Sequence, residues 1–338
     1  MNGQKGIKNK KIILIFALVV ILGLSFILAM AFGSVSISPI EVIKALFSGG
    51  EGSTEATIIR SIRLPRILAG ILGGVGLSTA GVILQGVMNN ALASPNTIGV
   101  GSGAGFFVML AMVLFPRNVS VQPLFAFIGA LIATLAIFAL AYFADTSRIT
   151  IILAGITVSS FLTAGINLLK TLDTDIAVNI NSFLVGSLSG VSFSDIRIPA
   201  VGIGAAFVFA VIMARPLNML ELGDEVAGSL GMRVGLTRFL LLVISSVLAG
   251  CVVSYAGLLS FAGLIVPHIC RKLFGSDARI LIPCSALLGG SFVLLCDLIG
   301  RVAASPYELP TGIIMSFIGG PFFMYLIIRK KGGRRLNA

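Results

Sequence analysis

Long apolar segments, separated by short polar stretches, occupy most of this 338-residue chain. From Ile67 to Pro116 there is no charged residue at all. A helix needs roughly 20 mainly apolar residues to cross the hydrocarbon core of a bilayer. The pattern therefore predicts about ten transmembrane helices, at 12–32, 64–84, 97–115, 122–144, 149–170, 196–214, 238–256, 258–272, 280–300 and 309–328.

Two places interrupt this pattern. The stretch 88–97, between the second and third segments, is polar and contains Pro95, so it cannot cross hydrocarbon as a regular helix without help from its neighbours. The run 239–268 has no Asp, Glu, Lys or Arg, but it is too long for one span and short for two. Three helix-breaking residues interrupt it, namely Gly257, Gly263 and Pro267. We expect one full helix there, followed by a short or broken one.

The composition supports a membrane protein. Charged residues make up 11% of the chain, apolar residues make up 57%, and the mean hydropathy is +1.08. A soluble protein of this length could not cover its surface with so few polar residues. We therefore expect an all-α polytopic membrane protein in which residues 1–338 form a single domain. The net charge of +11 does not indicate a nucleic-acid partner, because most basic residues lie at predicted membrane boundaries.

The distribution of basic residues predicts the orientation. Both tails, 1–11 and 329–338, are basic, and the positive-inside rule then places both termini in the cytoplasm with an even number of spans. Ten spans put about 16 of the 24 Lys and Arg residues inside, and they make 215–237 the main cytoplasmic loop. The first apolar run, 12–32, is longer than a usual signal-peptide core, so we expect it to be a retained helix.

Several kinds of catalytic or cofactor site are absent from the sequence. There is no Gly-Lys dipeptide and hence no Walker A loop, and His268 is the single histidine. The four cysteines lie in or beside apolar segments without a C-x-x-C motif, so we expect neither a metal nor a cofactor. An ion-coupled secondary transporter remains an alternative, although the predicted spans contain only Asp297 as a carboxylate. A membrane enzyme is a weaker one, because His268 stands alone.

Arginines on the predicted outer side are the strongest positive signal. Arg60, Arg63 and Arg66 precede the second span, and Arg301 ends the ninth on the same side, against the usual charge bias. Isolated arginines at helix ends commonly extend to lipid headgroups. Four on one face would instead form a dock for carboxylates of a partner, because the guanidinium group binds carboxylates in a bidentate manner.

The predicted cytoplasmic loop contains a short helix. Two acidic residues suit its N-terminus, a glycine suits its C-cap, and three apolar residues form one small face. Such a helix either lies on the membrane or inserts into a groove of a partner protein. Its residues are Gly223, Asp224, Glu225, Val226, Ala227, Leu230 and Gly231.

Six short motifs follow one another in a recognisable order. They are Ile62–Gly70 with its R-L-P-R core, Gln85–Pro95, the loop helix Gly223–Gly231, Gly263–His268, Glu308–Gly312 and Gly319–Phe323. In this order they resemble the FecCD-type permeases, the membrane subunits of ABC importers for iron chelates and vitamin B12. One departure is Asn90-Ala91, where the family usually has Asn-Pro.

The resemblance implies a type II ABC importer permease fold of about ten transmembrane helices in the cell membrane. It implies a second permease subunit, as a homodimer or a similar heterodimer, together with separate cytoplasmic ATPase subunits that would bind the loop helix. An extracytoplasmic substrate-binding protein or lipoprotein would dock at Arg63, Arg66 and Arg301.

The resemblance also implies a pathway. Thr146 and Ser147 match the family's cytoplasmic gate, and Asn167 on the fifth helix would line the route. The expected cargo is an iron chelate, a ferric siderophore first, with haem or cobalamin as the alternative within the family.

Overall fold

The computed structural model of the protein describes residues 2–33, 54–143 and 147–335. Within these ranges every regular element is helical. The α-helices of six residues or more are α1 (Asn2–Ala31), α2 (Leu64–Val87), α3 (Val100–Leu114), α4 (Gln122–Phe143), α5 (Arg148–Leu172), α6 (Thr174–Val185), α7 (Phe193–Ile212), α8 (Ala214–Glu221), α9 (Asp224–Ser229), α10 (Val234–Ala256), α11 (Ala262–Phe274), α12 (Ala278–Val302) and α13 (Thr311–Arg335).

Seven of the described helical stretches are long and apolar enough to cross a bilayer. They are Lys11–Ala31, Ile58–Val87, Val119–Phe143, Arg148–Leu172, Phe193–Ile212, Val234–Ala256 and Ala278–Val302. This confirms the predicted class of polytopic helical membrane protein. The helix count differs from ten full spans, because α3 and α11 have only 15 and 13 residues, and the described apolar part of α13 is limited to Thr311–Leu326.

Local backbone geometry explains the short ones. The third predicted span begins as a 3-10 turn at Pro95–Ile98, and Gly99 then adopts a left-handed conformation before the 15-residue helix α3. The predicted eighth span starts only at Ala262, after Phe261 at a φ of 67°. Its 13 residues rise about 20 Å, less than the roughly 30 Å hydrocarbon core. The expectation of one full helix followed by a short one in this run is therefore met.

Two helices were not expected from the sequence. A 12-residue helix, α6, follows α5 directly, and its start is capped by Asp173, whose carboxylate accepts hydrogen bonds from the Asp175 and Ile176 backbone amides. The 8-residue α8 follows α7 after a single residue. At the start of α2, a π-helical stretch at Ile58–Arg63 runs directly into the helix.

Glycines allow the central helices to approach closely. A Cβ atom built on Gly74 of α2 would lie 2.0 Å from the carbonyl oxygen of Gly289 on α12. One built on Gly81 would lie 1.8 Å from the carbonyl oxygen of Gly263 on α11. Only glycine permits such backbone contact between helices in a bilayer. As a result α2 is the centre of the bundle, because most of its residues are buried, whereas few residues of α5 are.

The bundle has two functionally distinct ends. The Arg66–Asp297 and Gly74–Gly289 contacts show that α2 and α12 run antiparallel. The start of α2 and the end of α12 bring Arg63, Arg66 and Arg301 to what we call the arginine end. The helices α8 and α9 lie at the opposite end, which we call the loop end.

Candidate functional site

The three predicted docking arginines lie together at the arginine end, and two of them hold the end of α1. The Arg63 Nη1 group donates hydrogen bonds to the carbonyl oxygens of Met30 and Ala31, the latter at 3.1 Å. The Arg301 guanidinium donates to the Ala29 carbonyl oxygen at 3.2 Å. These contacts satisfy carbonyl groups that the last turn of a helix leaves without partners. The end of α1 is thus an integral part of the fold.

The third arginine, Arg66, forms the centre of a buried ion-pair network. Its Nη2 atom lies 2.9 Å from Asp297 Oδ1, and its Nη1 atom lies 2.7 Å from Glu308 Oε2. Arg301 Nε also lies 3.1 Å from Asp297 Oδ2, and the Thr311 hydroxyl donates to Asp297 at 3.0 Å. One carboxylate of Asp297, with a fully buried side chain, therefore serves two arginines.

Glu308 links this network to the surface. Its side chain is 30% exposed and also accepts a hydrogen bond from the Ser189 hydroxyl at 3.3 Å. Partial burial alone would raise the pKa of Glu308, but the hydrogen bond and the charge of Arg66 outweigh burial and hold this pKa below its ordinary value. At neutral pH the carboxylate is therefore charged and available to the network.

The arginine end differs from an open basic patch. Arg63, Arg66 and Arg301 are 5%, 6% and 3% exposed, and each already has partners within the chain. The sequence indicated their common location, but it carried no sign of their burial. Their docking role stays a prediction.

The loop helix predicted at 223–231 is present as α9, and basic residues hold its first turn. The buried Arg238 of α10 donates through Nη2 to both carboxylate oxygens of Asp224, at 2.7 and 2.8 Å. Arg148, at the start of α5, donates to the carbonyl oxygen of Leu220 at 2.6 Å and approaches Asp224 at 3.4 Å. Asp224 therefore fixes the position of α9 within this chain.

The outer face of α9 is apolar. Val226 and Leu230 are 46% and 60% exposed. Leu222, four residues before Val226, is 64% exposed. Ala227 is buried against the chain, whereas Glu225 is exposed. Glycines with positive φ, Gly223 and Gly231, bracket the helix. The arrangement presents a small apolar ridge away from the bundle.

Two further contacts fix α8 at the loop end. The Asn218 amide donates to Asp277 at 2.8 Å and accepts from the backbone amide of Ala278 at 2.8 Å, which ties α8 to the start of α12. A hydrogen bond from Arg279 holds the pKa of Asp277 far below its ordinary value, despite partial burial. Burial raises the pKa of Glu221, and the charge of Arg271, 3.4 Å away, offsets this only in part.

The predicted gate and pathway residues are placed separately. Ser147 caps α5, where its hydroxyl accepts a hydrogen bond from the backbone amide of Thr150 at 3.2 Å. Thr146 lies outside the described residues. Asn167 lies on the exposed side of α5. Its outward position leaves it free to face a pathway or a second subunit, and that role stays a prediction.

Sequence reasoning missed Arg148, Arg238 and Asn218, which hold the loop end together. Arg238 is 14 positions from Asp224, and Arg148 is 76 positions away, so no local motif connects them. One signal was available, because Arg238 begins a predicted span, and a charged residue at the edge of an apolar segment requires a partner unless it reaches water.

In the described residues no group of three or more His, Cys, Asp or Glu side chains is placed to hold a metal ion. All four cysteines are buried free thiols. The ion pairs described above lie at the two ends of the bundle, with glycine-mediated packing between them. This is the arrangement of a helical membrane protein with separate contact surfaces on its two faces.

Comparison with known proteins identifies the class. The model of the FecCD transport family matches residues 18–329, and this chain belongs to that family. Its members are membrane permease subunits of ABC transporters, which are not catalytic. The membership decides against an ion-coupled secondary transporter and against a membrane enzyme.

Individual relatives agree along nearly the whole chain. The Fe(3+)-citrate import system permease protein YfmE of Bacillus subtilis is 36% identical over 324 residues, covering 95% of this chain and 96% of that protein. The iron-uptake system permease protein FeuB of the same organism is 34% identical over 313 residues, covering 92% and 94%. A solved ABC transporter, described as being of metal-chelate type and inward-facing, has a TM-score of 0.82 at 28% identity and covers 94% and 99%.

Proposed function

We propose that this chain is the membrane-spanning subunit of an importer that moves a ferric chelate, a ferric siderophore first, into the cytoplasm. The observation that carries the proposal is the rigidly held helix α9, which presents an apolar ridge outside the bundle as a docking point for a separate motor subunit. The cargo is inferred from relatives named for iron citrate and iron uptake. Haem or cobalamin is the alternative.

An uptake assay in cells tests which cargo is transported. A bacterial strain that lacks its own chelate permeases would express this chain with its neighbouring transport genes. We expect uptake of iron-55 presented as a siderophore or as citrate, and none of haem or labelled cobalamin. Uptake of haem or cobalamin alone would contradict the iron-chelate proposal while leaving the transporter class intact.

The proposed assembly has three kinds of protein partner within the lipid bilayer and on its two sides. Two cytoplasmic ATPase subunits would bind the loop end, because the chain has no Walker A loop of its own. A second permease subunit would cover the apolar outer faces of α5 and α6, where Phe161, Leu172 and Val178 are more than 70% exposed. The bilayer would cover the remaining apolar surface, and a substrate-binding protein or lipoprotein would dock at the arginine end.

The proposed orientation places the loop end and both termini in the cytoplasm. Its support is the concentration of basic residues in the tails and around 215–237. Single cysteines at Ser120 and Ser229, both exposed, test it in a background without the four native cysteines. An impermeant thiol reagent should label position 120 in intact cells, and it should label position 229 only after the membrane is permeabilised. The reverse labelling would invert the topology.

Docking at the arginine end predicts a specific sensitivity to charge. In the proposed complex, carboxylates of the binding protein form charge-assisted hydrogen bonds with Arg63, Arg66 and Arg301, and these replace part of the contacts that the arginines make within this chain. Arg63→Gln should weaken binding of an acidic binding protein to reconstituted permease about tenfold, because such bonds contribute about 1.5–3 kcal/mol. The binding of wild-type permease should also weaken as salt increases.

The matched control is Arg197→Gln, which removes an exposed arginine near the start of α7 at the same end. It should bind nearly as wild type does. Wild-type affinity in folded Arg63→Gln, Arg66→Gln and Arg301→Gln variants would show that the three arginines serve only the fold.

A further inference from the structure

A cavity at the loop end has no role in the features described so far. It has a volume of about 620 Å³ and lies between the C-terminal end of α2, the helix α11 and the C-terminal half of α13. Among the described residues that line it there is no carboxylate. They are Gln85, Asn89, Asn90, Ala91, Leu92, His268, Arg271, Lys272, Phe323 and Leu326.

One wall of the cavity is basic. This wall is one face of α11, because Arg271 and Lys272 lie three and four residues after His268. Arg271 approaches Glu221 at 3.4 Å. Among the described residues, Lys272 has no ion pair. The cavity therefore carries net positive charge.

Several buried polar atoms of the residues on this wall have no hydrogen-bond partner among the described residues. Within the described part of the chain, Arg271 Nε and Nη2 and His268 Nε2 have none. The Gln85 side chain is 1% exposed and its Oε1 atom has no donor there, whereas its Nε2 atom donates long hydrogen bonds to the carbonyl oxygens of Gly263 and Leu264, at 3.5 and 3.4 Å. Buried polar groups normally have partners, so Arg271 and His268 hold unused hydrogen-bonding capacity beside the cavity. These atoms are covered, and a ligand in the cavity would reach them after a side-chain rotation.

The helix dipole does not account for this arrangement. Basic residues in a last helical turn interact favourably with the helix C-terminus, and this explains why Arg271 and Lys272 occur at the end of α11. It does not explain buried guanidinium N–H groups without acceptors. An oxygen-rich anion would supply those acceptors and compensate the positive charge.

The opposite wall is apolar and continues onto the surface. Leu92, Phe323 and Leu326 form it, and the neighbouring α13 residues Met324 and Ile328 are 59% and 72% exposed. A ligand that matches both walls has a phosphate group and a hydrocarbon chain. Basic cavities between membrane helices commonly bind anionic headgroups. We propose that this cavity binds the phosphate group of an anionic phospholipid, with an acyl chain along α13.

Native mass spectrometry of the purified, detergent-solubilised permease tests the proposal. The probes are phosphatidylglycerol, phosphatidylcholine and inorganic phosphate. We expect retention of phosphatidylglycerol in preference to the other two. Lys272→Gln should weaken that binding about fivefold and Arg271→Gln/Lys272→Gln about 25-fold, because each basic residue near an anionic headgroup contributes about a fivefold factor. Lys272→Arg should restore it.

Arg233→Gln is the matched control, because it removes an exposed basic residue at the same end that does not line the cavity. Thermal unfolding of every variant verifies the fold, and Lys272 is exposed enough that its replacement leaves the core intact. Equal phosphatidylglycerol binding by wild type and both Lys272 variants would overturn the proposal. So would equal retention of phosphatidylcholine, binding of inorganic phosphate in place of lipid, or displacement of the lipid by an assembled ATPase.

Discussion

Replacing Asp297 by Ala is expected to lower the free energy of unfolding by about 3–5 kcal/mol, the range for breaking a buried ion pair by removing one partner. The change would leave two guanidinium groups, those of Arg66 and Arg301, buried without the carboxylate that lies 2.9 and 3.1 Å from them. It would also remove the acceptor of the Thr311 hydroxyl. We therefore expect the arginine end to open before the rest of the bundle.

The chain offers its own reporter for this measurement. All four cysteines are buried, so a thiol-reactive fluorophore added to the detergent-solubilised protein reports unfolding as temperature increases. The control is Asp175→Ala, because Asp175 is an exposed carboxylate on α6 whose side chain has no hydrogen bond among the described residues. Such surface substitutions usually change stability by less than about 0.5 kcal/mol.

A compensating variant distinguishes charge from packing. Arg66→Met, Asp297→Leu and Arg301→Met together remove the whole charged triad, and replacement of buried ion pairs by apolar residues of similar volume is often neutral or stabilising. This triple variant should be more stable than Asp297→Ala. If the Asp297→Ala and Asp175→Ala variants unfold at the same temperature, the network contributes nothing to stability and its proposed structural role is wrong.

The sequence was sufficient for the class of the fold because the bilayer imposes a simple rule. Apolar length alone located α2, α4, α5, α12 and the apolar part of α1, Lys11–Ala31, to within a few residues. It overestimated α3, because the left-handed Gly99 separates the 3-10 turn from the helix, and apolar composition does not report that change of direction. It also missed α6, although the capping residue Asp173 and the buried pair Ile176 and Ile180 were visible at helical spacing.

The candidate sites were predictable in position but not in bonding. Charge bias against the positive-inside rule correctly grouped Arg63, Arg66 and Arg301 at one end. The partner of Arg66, Asp297, is 231 positions away, and the carbonyl groups bound by Arg301 are about 270 positions away. Pairings across such distances depend on how helices pack, which a single sequence does not encode in any local motif.

The second large effect concerns α9. The double change Val226→Asp/Leu230→Asp should weaken binding of the partner ATPase about 100-fold and abolish chelate uptake. Burial of one large apolar side chain contributes about 1.5–3 kcal/mol, or roughly tenfold in affinity for each residue. Both side chains are exposed in this chain, whereas Ala227 between them is buried. The double variant should therefore fold as wild type does.

Co-purification with the ATPase, ATP hydrolysis by the assembled complex and uptake in cells measure the result. A matched control is Val119→Asp, which places the same carboxylate on a residue that is 67% exposed at the opposite end of the bundle. Asp224→Asn adds a second comparison, because it weakens the contacts with Arg238 and Arg148 that position α9 while leaving the apolar ridge intact. It should reduce uptake less than the ridge variant. Normal ATPase binding and uptake in a well-folded Val226→Asp/Leu230→Asp variant would show that the motor subunit docks elsewhere on the loop end.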